Sequence, residues 1–266
     1  MIVYQVGNNF QELLVFVGED FFIEGNFLRV LFTSNQKKFT ERLGKFLGNR
    51  HLVQSIDIFS TINAENSFSS SRSKIFEGVS KHLTEIDVLV HSGLLSESVH
   101  VSDRLNYNMH NTYQLLNLAV KNGVKRVIYL STLHVMDQYS ESFAVTENWR
   151  PTPSTDPHIL SPYLGEVVCK EFAREGSIEV ILLRLGDLID SVDSAGSIPN
   201  SGLYVDDAFQ AIEKAFSVSM VHEYADAPLT WMPFHIQSNV PNKRFLTDRA
   251  ELLLNYKPID GFQMRL

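Results

Sequence analysis

The chain has 266 residues, of which 44% are hydrophobic and 20% are charged, and its formal net charge is −8 at pH 7. This composition is typical of a globular protein with a large core, and without a basic block it argues against nucleic-acid binding. Cys169 is the sole cysteine, so no internal disulfide forms. The first apolar stretch is interrupted by Gly18, Glu19 and Asp20, so we expect a cytoplasmic protein without a membrane span.

Apolar runs alternate with segments of helical periodicity along most of the chain. The runs predict strands at 28–34, 51–58, 87–91, 126–131, 178–183 and 234–237. The periodic segments predict helices that end near Phe46 and that span 75–83, 109–122, 163–174, 205–216 and 247–254. Apolar strands that alternate with helices are typical of a parallel sheet covered on both faces. The pattern therefore predicts an α/β fold.

Two segments stand outside this alternation. Residues 1–27 precede the first strand and have no assigned role, although apolar alternation at 2–6 and 13–17 allows an extra hairpin. Residues 67–73 are rich in serine, which predicts a loop.

Several motifs, in the right order, resemble those of one enzyme family. Residues 107–119 are similar to its asparagine-led helix, 123–127 to its Gly-Val-Lys-Arg-Val turn, and 126–132 to its strand ending in Ser/Thr. Further matches lie at 87–92, 184–187, 202–207 and 250–258. The chain thus resembles the extended short-chain dehydrogenases/reductases, the NAD-dependent sugar epimerases and dehydratases.

This resemblance implies a Rossmann-like, doubly wound parallel sheet with a small C-terminal substrate-type lobe. The corresponding division is an extension at 1–27, a Rossmann-like domain at 28–185, and a lobe at 186–266 interleaved with that domain. The implied cofactor is NAD or NADP, and the implied ligand is a nucleotide or sugar. The resemblance also implies a homodimer formed through helices 109–121 and 163–175.

The cofactor loop departs from the family pattern. The family has three glycines there, which allow a tight turn and a close approach of backbone to pyrophosphate. The corresponding residues here are Ser34, Lys37 and Thr40. Lys37 and Lys38 either are solvated charges or attract an anion to a helix N-terminus. Asp57 occupies the position of a ribose-binding acid, and Ser92 ends the strand on the other side of the expected cleft.

The catalytic set of the family is incomplete. A Ser/Thr orients the substrate, a tyrosine acts as general acid/base, and a lysine one helical turn later lowers the tyrosine pKa and holds the nicotinamide ribose. Aligned on Tyr163, these positions are Thr132, Tyr163 and Val167, with Asn108 on the preceding helix. Lys170, seven residues after Tyr163, is the nearest replacement cation, but about 10 Å of helix axis separates the two.

Other polar residues complete the expected cleft. His134 follows Thr132 and is a candidate acid/base, and Asp187 lies in the motif at 184–187, so both are candidate substrate contacts. The histidines show no metal-ligand spacing, so we propose no metal site.

The missing glycines and the missing lysine serve the same cofactor. We therefore favour an epimerase/dehydratase-like protein that is catalytically impaired, and that acts as a weak nucleotide binder or as a structural or regulatory subunit. The alternative is an active NAD(P)-dependent oxidoreductase or epimerase on a nucleotide sugar or uronate, with an atypical cofactor loop.

Overall fold

A computed structural model describes residues 14–16 (backbone only), 27–60, 76, 78–190, 198–220 and 229–258. Seven strands from these residues form the main sheet, in the order β1-β3-β2-β4-β5-β6-β9. These strands are β1 (Leu14–Phe16), β2 (Arg29–Thr33), β3 (Leu52–Ile56), β4 (Val88–Ser92), β5 (Arg126–Thr132), β6 (Glu179–Leu185) and β9 (Trp231–Ile236). Two further strands, β7 (Asp187–Ile189) and β8 (Gly202–Tyr204), pair with each other in parallel.

The helices cover both faces of the sheet, as the apolar strands predicted. They are α1 (Lys37–Leu47), α2 (Val101–Asn106), α3 (Thr112–Lys121), α4 (Pro157–Arg174), α5 (Val205–Ala215) and α6 (Asp248–Leu253), and 78–83 is also helical. Side chains of α1 and α5 pack into the core on one face, and side chains of α3 and α4 pack on the other. The fold is therefore the Rossmann-like α/β arrangement that was expected.

The parallel strands bring their carboxyl ends to one edge of the sheet. β2 pairs in parallel with β3 on one side and with β4 on the other, so the chain reverses its direction of winding at β2. Ligands of open α/β sheets bind in the crevice at such a reversal. The loops after β2, β4, β5 and β6 are consequently the elements that can build a site.

Two helices begin earlier than the sequence periodicity predicted. The helix expected from 109 begins at Val101, and its π-helical turn Tyr107–Asn111 joins α2 to α3. The helix expected from Tyr163 begins at Pro157, where the side chain of Asp156 accepts a 2.8 Å hydrogen bond from the His158 N–H. An aspartate N-cap followed by proline at the first helical position is a common helix start. Pro162 consequently lies inside α4 and not at its beginning.

The two outermost strands of the main sheet, β1 and β9, come from the first and last parts of the described chain. β1 pairs antiparallel with β3 at the sheet edge, whereas the other half of the expected hairpin, 2–6, lies outside the described residues, as does the loop 67–73. β9 pairs with β6, so part of the segment 186–266 lies in the sheet itself. Within the described ranges, no helix is both long and apolar enough to cross a membrane.

Candidate functional site

A cavity of 710 Å³ lies at the carboxyl ends of β2, β4, β5 and β6. Its lining comes from the loop after β2, the first turns of α1, the loop after β4, and the starts of α4 and α5. The polar and charged residues that line it are Asn35, Gln36, Lys37, Lys38, Arg42, Ser96, Glu97, Arg104, Thr132, His158, Asp187 and Asp190. This is the crevice that the strand order predicts.

The structure brings three of the sequence-predicted site residues to this cavity: Lys37, Thr132 and Asp187. Thr132 is 7% exposed, and its Oγ1 accepts a 3.2 Å hydrogen bond from the His134 N–H, which caps the short 3₁₀ helix Leu133–Met136. Thr132 therefore presents its side chain at the end of β5 in a position fixed by the backbone that follows.

The loop between β2 and α1 is closed by its own side chains. Ser34 Oγ accepts a 3.0 Å hydrogen bond from the Gln36 N–H, and Thr40 Oγ1 donates a 3.0 Å hydrogen bond to the Gln36 carbonyl. Ser34 and Thr40 are both buried and are absent from the cavity lining that the structure describes. Two of the three positions that carry glycine in the family are thus occupied by side chains that serve the local turn.

Two hydrogen bonds join this loop to the loop after β4. Gln36 Nε2 donates to the Leu94 carbonyl at 3.3 Å, and the Ser96 N–H donates to Asn35 Oδ1 at 3.2 Å. A dinucleotide that crosses the reversal point in this fold passes between these loops. An extended dinucleotide that passes between these loops has to displace the two hydrogen bonds.

The remaining candidate cofactor residues are engaged in local contacts. Asp57 Oδ1 accepts a 2.9 Å hydrogen bond from the Ser60 N–H, and Asp57 Oδ2 accepts a 2.5 Å hydrogen bond from the Ser60 hydroxyl. Ser92 Oγ donates to the Leu94 carbonyl and accepts from the Leu94 N–H, both at 3.2 Å. Asp57 and Ser92 therefore stabilise the loops that follow β3 and β4.

Asn108 lies behind the cavity, at 0% exposure, in the π-helical turn. Its Nδ2 donates to the Gly93 carbonyl at 2.9 Å and to Ser161 Oγ at 2.5 Å, while its Oδ1 accepts from the Tyr129 hydroxyl at 2.9 Å. The amide thus joins β5, α4 and the loop after β4. In this geometry Asn108 positions the elements of the site and does not face a ligand.

Contrary to the arrangement expected from the sequence, Tyr163 and Val167 lie away from the cavity. Tyr163 packs against the apolar cluster of Leu133, Val135, Met136, Val145 and Phe245, and Val167 is 42% exposed on the outer surface. Lys170 is also exposed and absent from the described lining. The orientation is set by the packing of α4 on the sheet, which directs Gly165, Glu166 and Cys169 inward and leaves Val167 and Lys170 on the outer side.

His158 is the residue through which α4 lines the cavity, and the sequence analysis did not select it. An α-helix has 3.6 residues per turn, so Val167, nine residues on, lies about two and a half turns away, on the opposite side. One turn after His158 stands Pro162, which is buried. The Asp156-Pro157 pair was the sequence signal for this start, because together they form an N-cap and a first helical residue.

His134 is held between two carboxylates. Its Nδ1 lies 2.6 Å from Asp137 Oδ2, and its Nε2 lies 2.8 Å from Asp187 Oδ1. Hydrogen bonds to Asp137 and Asp187 raise the pKa of His134 to about 10. The ring is therefore a protonated link between the 3₁₀ helix and β7, and it has no free nitrogen for proton transfer. Among the described residues, no group of three or more His, Cys, Asp or Glu is placed to hold a metal ion.

Comparison with known proteins supports the resemblance seen in the sequence. Residues 69–191 match the model of the NAD dependent epimerase/dehydratase family, so the resemblance to this family is confirmed. No curated protein matches the chain.

Solved structures with the same fold cover most of the chain. Glucuronic acid dehydrogenase from Chromohalobacter salexigens is 16% identical with a TM-score of 0.66, and the match covers 90% of this chain and 88% of that one. Uronate dehydrogenase from Agrobacterium tumefaciens is 17% identical with a TM-score of 0.62 over the same shares, 90% and 88%. UDP-glucuronic acid 4-epimerase from Bacillus cereus, solved in complex with NAD, is 18% identical with a TM-score of 0.61, covering 89% of this chain and 94% of that one. At these identities the likeness concerns the fold.

Proposed function

We propose that this chain is an epimerase/dehydratase-like protein that binds a nucleotide-like or sugar-like ligand in the cavity but does not transfer hydride. In this role it acts as a weak ligand binder, or as a regulatory or structural subunit. The observation that carries the proposal is that α4 lines the cavity with His158, whereas the residue one turn later, Pro162, is buried and absent from the described lining.

Hydride transfer in the family needs an acid/base residue and a lysine one helical turn later. Helix α4 can be aligned with the family's helix in two ways, and neither places such a pair at the cavity. If Tyr163 and Val167 are taken as the pair, the first packs on the apolar cluster and the second is exposed to solvent. If the helix is aligned on the residue that faces the cavity, the pair is His158 and Pro162. Proline has neither a charge to lower a neighbouring pKa nor a donor for a nicotinamide ribose.

The loop after β2 supports the same proposal independently. Its side chains close the turn, and Asn35 and Gln36 bond across to the loop after β4. Binding of an extended dinucleotide in the family's manner requires these contacts to break first. We therefore expect dinucleotide affinity to be weak.

The second candidate function is an active NAD(P)-dependent oxidoreductase or epimerase that acts on a nucleotide sugar or uronate. Thr132 and His158 favour it, because both line the cavity and histidine is the side chain used most often as a general acid or base. In that case His158 takes the role of the family's tyrosine as general acid/base.

A cofactor titration combined with a turnover assay separates the two functions. The purified protein is titrated with NAD, NADH, NADP and NADPH, and then assayed for oxidation or epimerisation of uronates and nucleotide sugars. We expect weak binding and no turnover. A rate on the order of 1 per second is typical of working enzymes. Such a rate, if lost in His158→Ala but retained in Tyr163→Phe on the same helix, would establish the second function instead.

A further inference from the structure

Charges of both signs line the cavity. In the described lining, four cationic side chains, Lys37, Lys38, Arg42 and Arg104, stand against three carboxylates, Glu97, Asp187 and Asp190. The two sets nearly balance, so the net charge of the wall gives little attraction for an ion. The kind of ligand that the cavity selects therefore depends on which of these charges are already paired within the protein.

Asp190, which follows β7, pairs with two cations of α1. Its Oδ2 accepts a 2.7 Å hydrogen bond from Lys38 Nζ, and its Oδ1 forms a second ion pair with Arg42 Nη1. The hydrogen bond from Lys38 lowers the pKa of Asp190, so the carboxylate is charged at neutral pH. Lys38 and Arg42 thus line the cavity together with a counter-ion that belongs to the protein itself.

The carboxylate of Asp187 is also engaged. Its Oδ1 lies 2.8 Å from His134 Nε2, and its Oδ2 accepts a hydrogen bond from the Ser201 hydroxyl. Because the ring of His134 is protonated at neutral pH, the contact with His134 is an ion pair. Asp187 therefore brings no uncompensated negative charge to the cavity.

Arg104 is only 3% exposed, and its charge is compensated by oxygens of the protein. Nη1 donates to the Leu95 carbonyl at 3.3 Å, and Nη2 donates to the Ser96 carbonyl at 2.7 Å. The carboxylates of Asp156 and Glu97 attract the same guanidinium. Arg104 consequently does not require a ligand as its counter-ion.

An anionic ligand would meet a carboxylate at this wall. To pair with Lys38 or Arg42 it has to replace Asp190, whose charge then lies close to that of the ligand. Like charges that are placed side by side weaken binding. An uncharged ligand leaves both ion pairs in place and has no such cost.

The cavity also offers the groups that bind an uncharged compound with several hydroxyl groups. The Thr132 hydroxyl accepts a hydrogen bond from the His134 N–H and can still donate its own proton to a ligand. Asn35 lines the cavity and brings an amide. Apolar side chains cover other parts of the lining and can pack on the C–H face of a sugar ring or on a base: Phe39, Leu94, Leu95, Leu185, Leu188 and Val205.

We propose that the cavity selects an uncharged polyhydroxyl ligand, a sugar or a nucleoside, and that Asp190 disfavours the anionic counterparts of this ligand because it occupies Lys38 and Arg42. The inference rests on the proposed ligand-binding function and specifies the class of ligand. It makes Asp190 a residue that determines selectivity without contacting the bound ligand.

Calorimetric titration of the full chain with matched pairs of compounds tests the class of ligand. Glucose is compared with glucuronate, and adenosine with AMP, since the members of each pair differ by one anionic group. We expect glucose or adenosine to bind and its anionic partner to bind several-fold more weakly. Added salt should leave the affinity of the uncharged compound unchanged, because no ion pair forms on binding.

The same titration can overturn the inference. Tighter binding of glucuronate than of glucose, or of AMP than of adenosine, contradicts the selectivity, and so does the absence of binding by both uncharged compounds. The pair that gives binding distinguishes a sugar from a nucleoside.

Neutralisation of Asp190 tests its role. Asp190→Asn should strengthen the binding of the anionic member of the pair about two- to fivefold, which corresponds to the free energy typical of exposed ion pairs, and should leave the uncharged member unaffected. The affinity of the anionic member is measured by its displacement of the uncharged one. Glu171→Gln, at an exposed position of α4, changes the net charge of the protein by the same amount and is the matched control. It should leave both affinities unchanged.

The ratio of the two affinities separates selectivity from a structural role. If Asp190 only stabilises the chain after β7, Asp190→Asn changes both affinities together, and an unchanged ratio contradicts the role proposed for this residue. The outcome is also separate from that of the proposed function. Turnover with NAD argues against that function, whereas the class of ligand is judged by these affinities alone.

Discussion

Glu166 and Arg184 form an ion pair inside the protein, in which Arg184 Nη2 lies 2.8 Å from Glu166 Oε2 and each side chain is only 4% exposed. Arg184 Nε donates a further hydrogen bond to Glu166 Oε1 at 3.1 Å, and the Ser131 hydroxyl donates to the same oxygen at 2.6 Å. This network joins α4 to β5 and β6. It fixes the helix from which His158 reaches the cavity.

The first prediction is that Glu166→Ala destabilises the fold by about 3–5 kcal/mol, because it leaves the Arg184 guanidinium buried without its counter-ion. Glu171→Ala on the same helix removes one partner of the exposed pair with Arg174, whose side chains are 54% and 68% exposed, and should leave the free energy of unfolding nearly unchanged. Urea denaturation of both variants measures the difference. Equal effects of the two substitutions would contradict the role assigned to the buried pair.

The second prediction concerns the contact of α4 with β5 at Gly165. A Cβ added there would lie 1.9 Å from the Tyr129 hydroxyl oxygen, which itself donates to Asn108 Oδ1 and to the Pro162 carbonyl. Gly165→Ala should therefore cost about 1–3 kcal/mol through overpacking.

A double-mutant cycle and a control test this contact. Combining Gly165→Ala with Tyr129→Phe should cost less than the sum of the single changes, because the second substitution removes the atom in closest contact. Gly78→Ala is the control: it lies in a helical segment with nothing within 4 Å of its added Cβ, and it should stabilise by about 0.5–1 kcal/mol. Strict additivity in the cycle would show that the glycine is retained for another reason.

The third prediction is a pH dependence from His134. Its pKa in the folded state is raised to about 10, above the value of about 6.5 in the unfolded chain. The contribution of the ring to stability is thus fully present below pH 6.5 and is lost as the pH rises toward 10. The difference in unfolding free energy between the wild type and His134→Gln should shrink over this interval. A difference that stays constant from pH 6 to 10 would mean that the ring is not protonated between Asp137 and Asp187.

The fourth prediction is a homodimer through α3 and α4. Exposed apolar side chains lie on both helices and on the π-helical turn before α3: Tyr113 is 50%, Val167 42% and Met109 51% exposed. The ring of Tyr113 lies 5.5 Å from that of Phe172, so α3 and α4 meet here. An exposed apolar patch of this kind is typical of an interface. Light scattering should give a dimer at micromolar concentration.

A pair of lysine substitutions separates this surface from general aggregation. Val167→Lys should shift the dimer to monomer, because a charge is placed in the apolar patch. Leu252→Lys, at a side chain 81% exposed on α6, should leave the dimer intact. A wild-type monomer, or equal effects of both substitutions, counts against the interface.

The six parallel strands of the main sheet followed from the sequence, whereas the short strands β7 and β8 and the face that each helix presents did not. Residues 127–130 form an uninterrupted apolar run inside the predicted strand 126–131, and β5 covers Arg126–Thr132. For α4, the resemblance to the family placed Tyr163 in the catalytic position. In the structure Tyr163 packs against the apolar cluster, and His158 lines the cavity. These two residues are five positions apart, about 1.4 helical turns, so they lie on different sides of α4, and the packing of the helix decides which side meets the cavity.

By itself, the sequence determined the α/β class of this protein, the alternation of the main strands with helices, and the absence of glycine at Ser34, Lys37 and Thr40, because these depend on local residue type and on short-range periodicity. The tertiary structure alone decided which side chains meet. The ion pair of Glu166 with Arg184, the hydrogen bonds of His134 to Asp187, and the pairing of Asp190 with Lys38 and Arg42 each join residues that are apart in the chain. Such contacts are set by the packing of helices and loops at the sheet edge, and no periodicity along the chain encodes them.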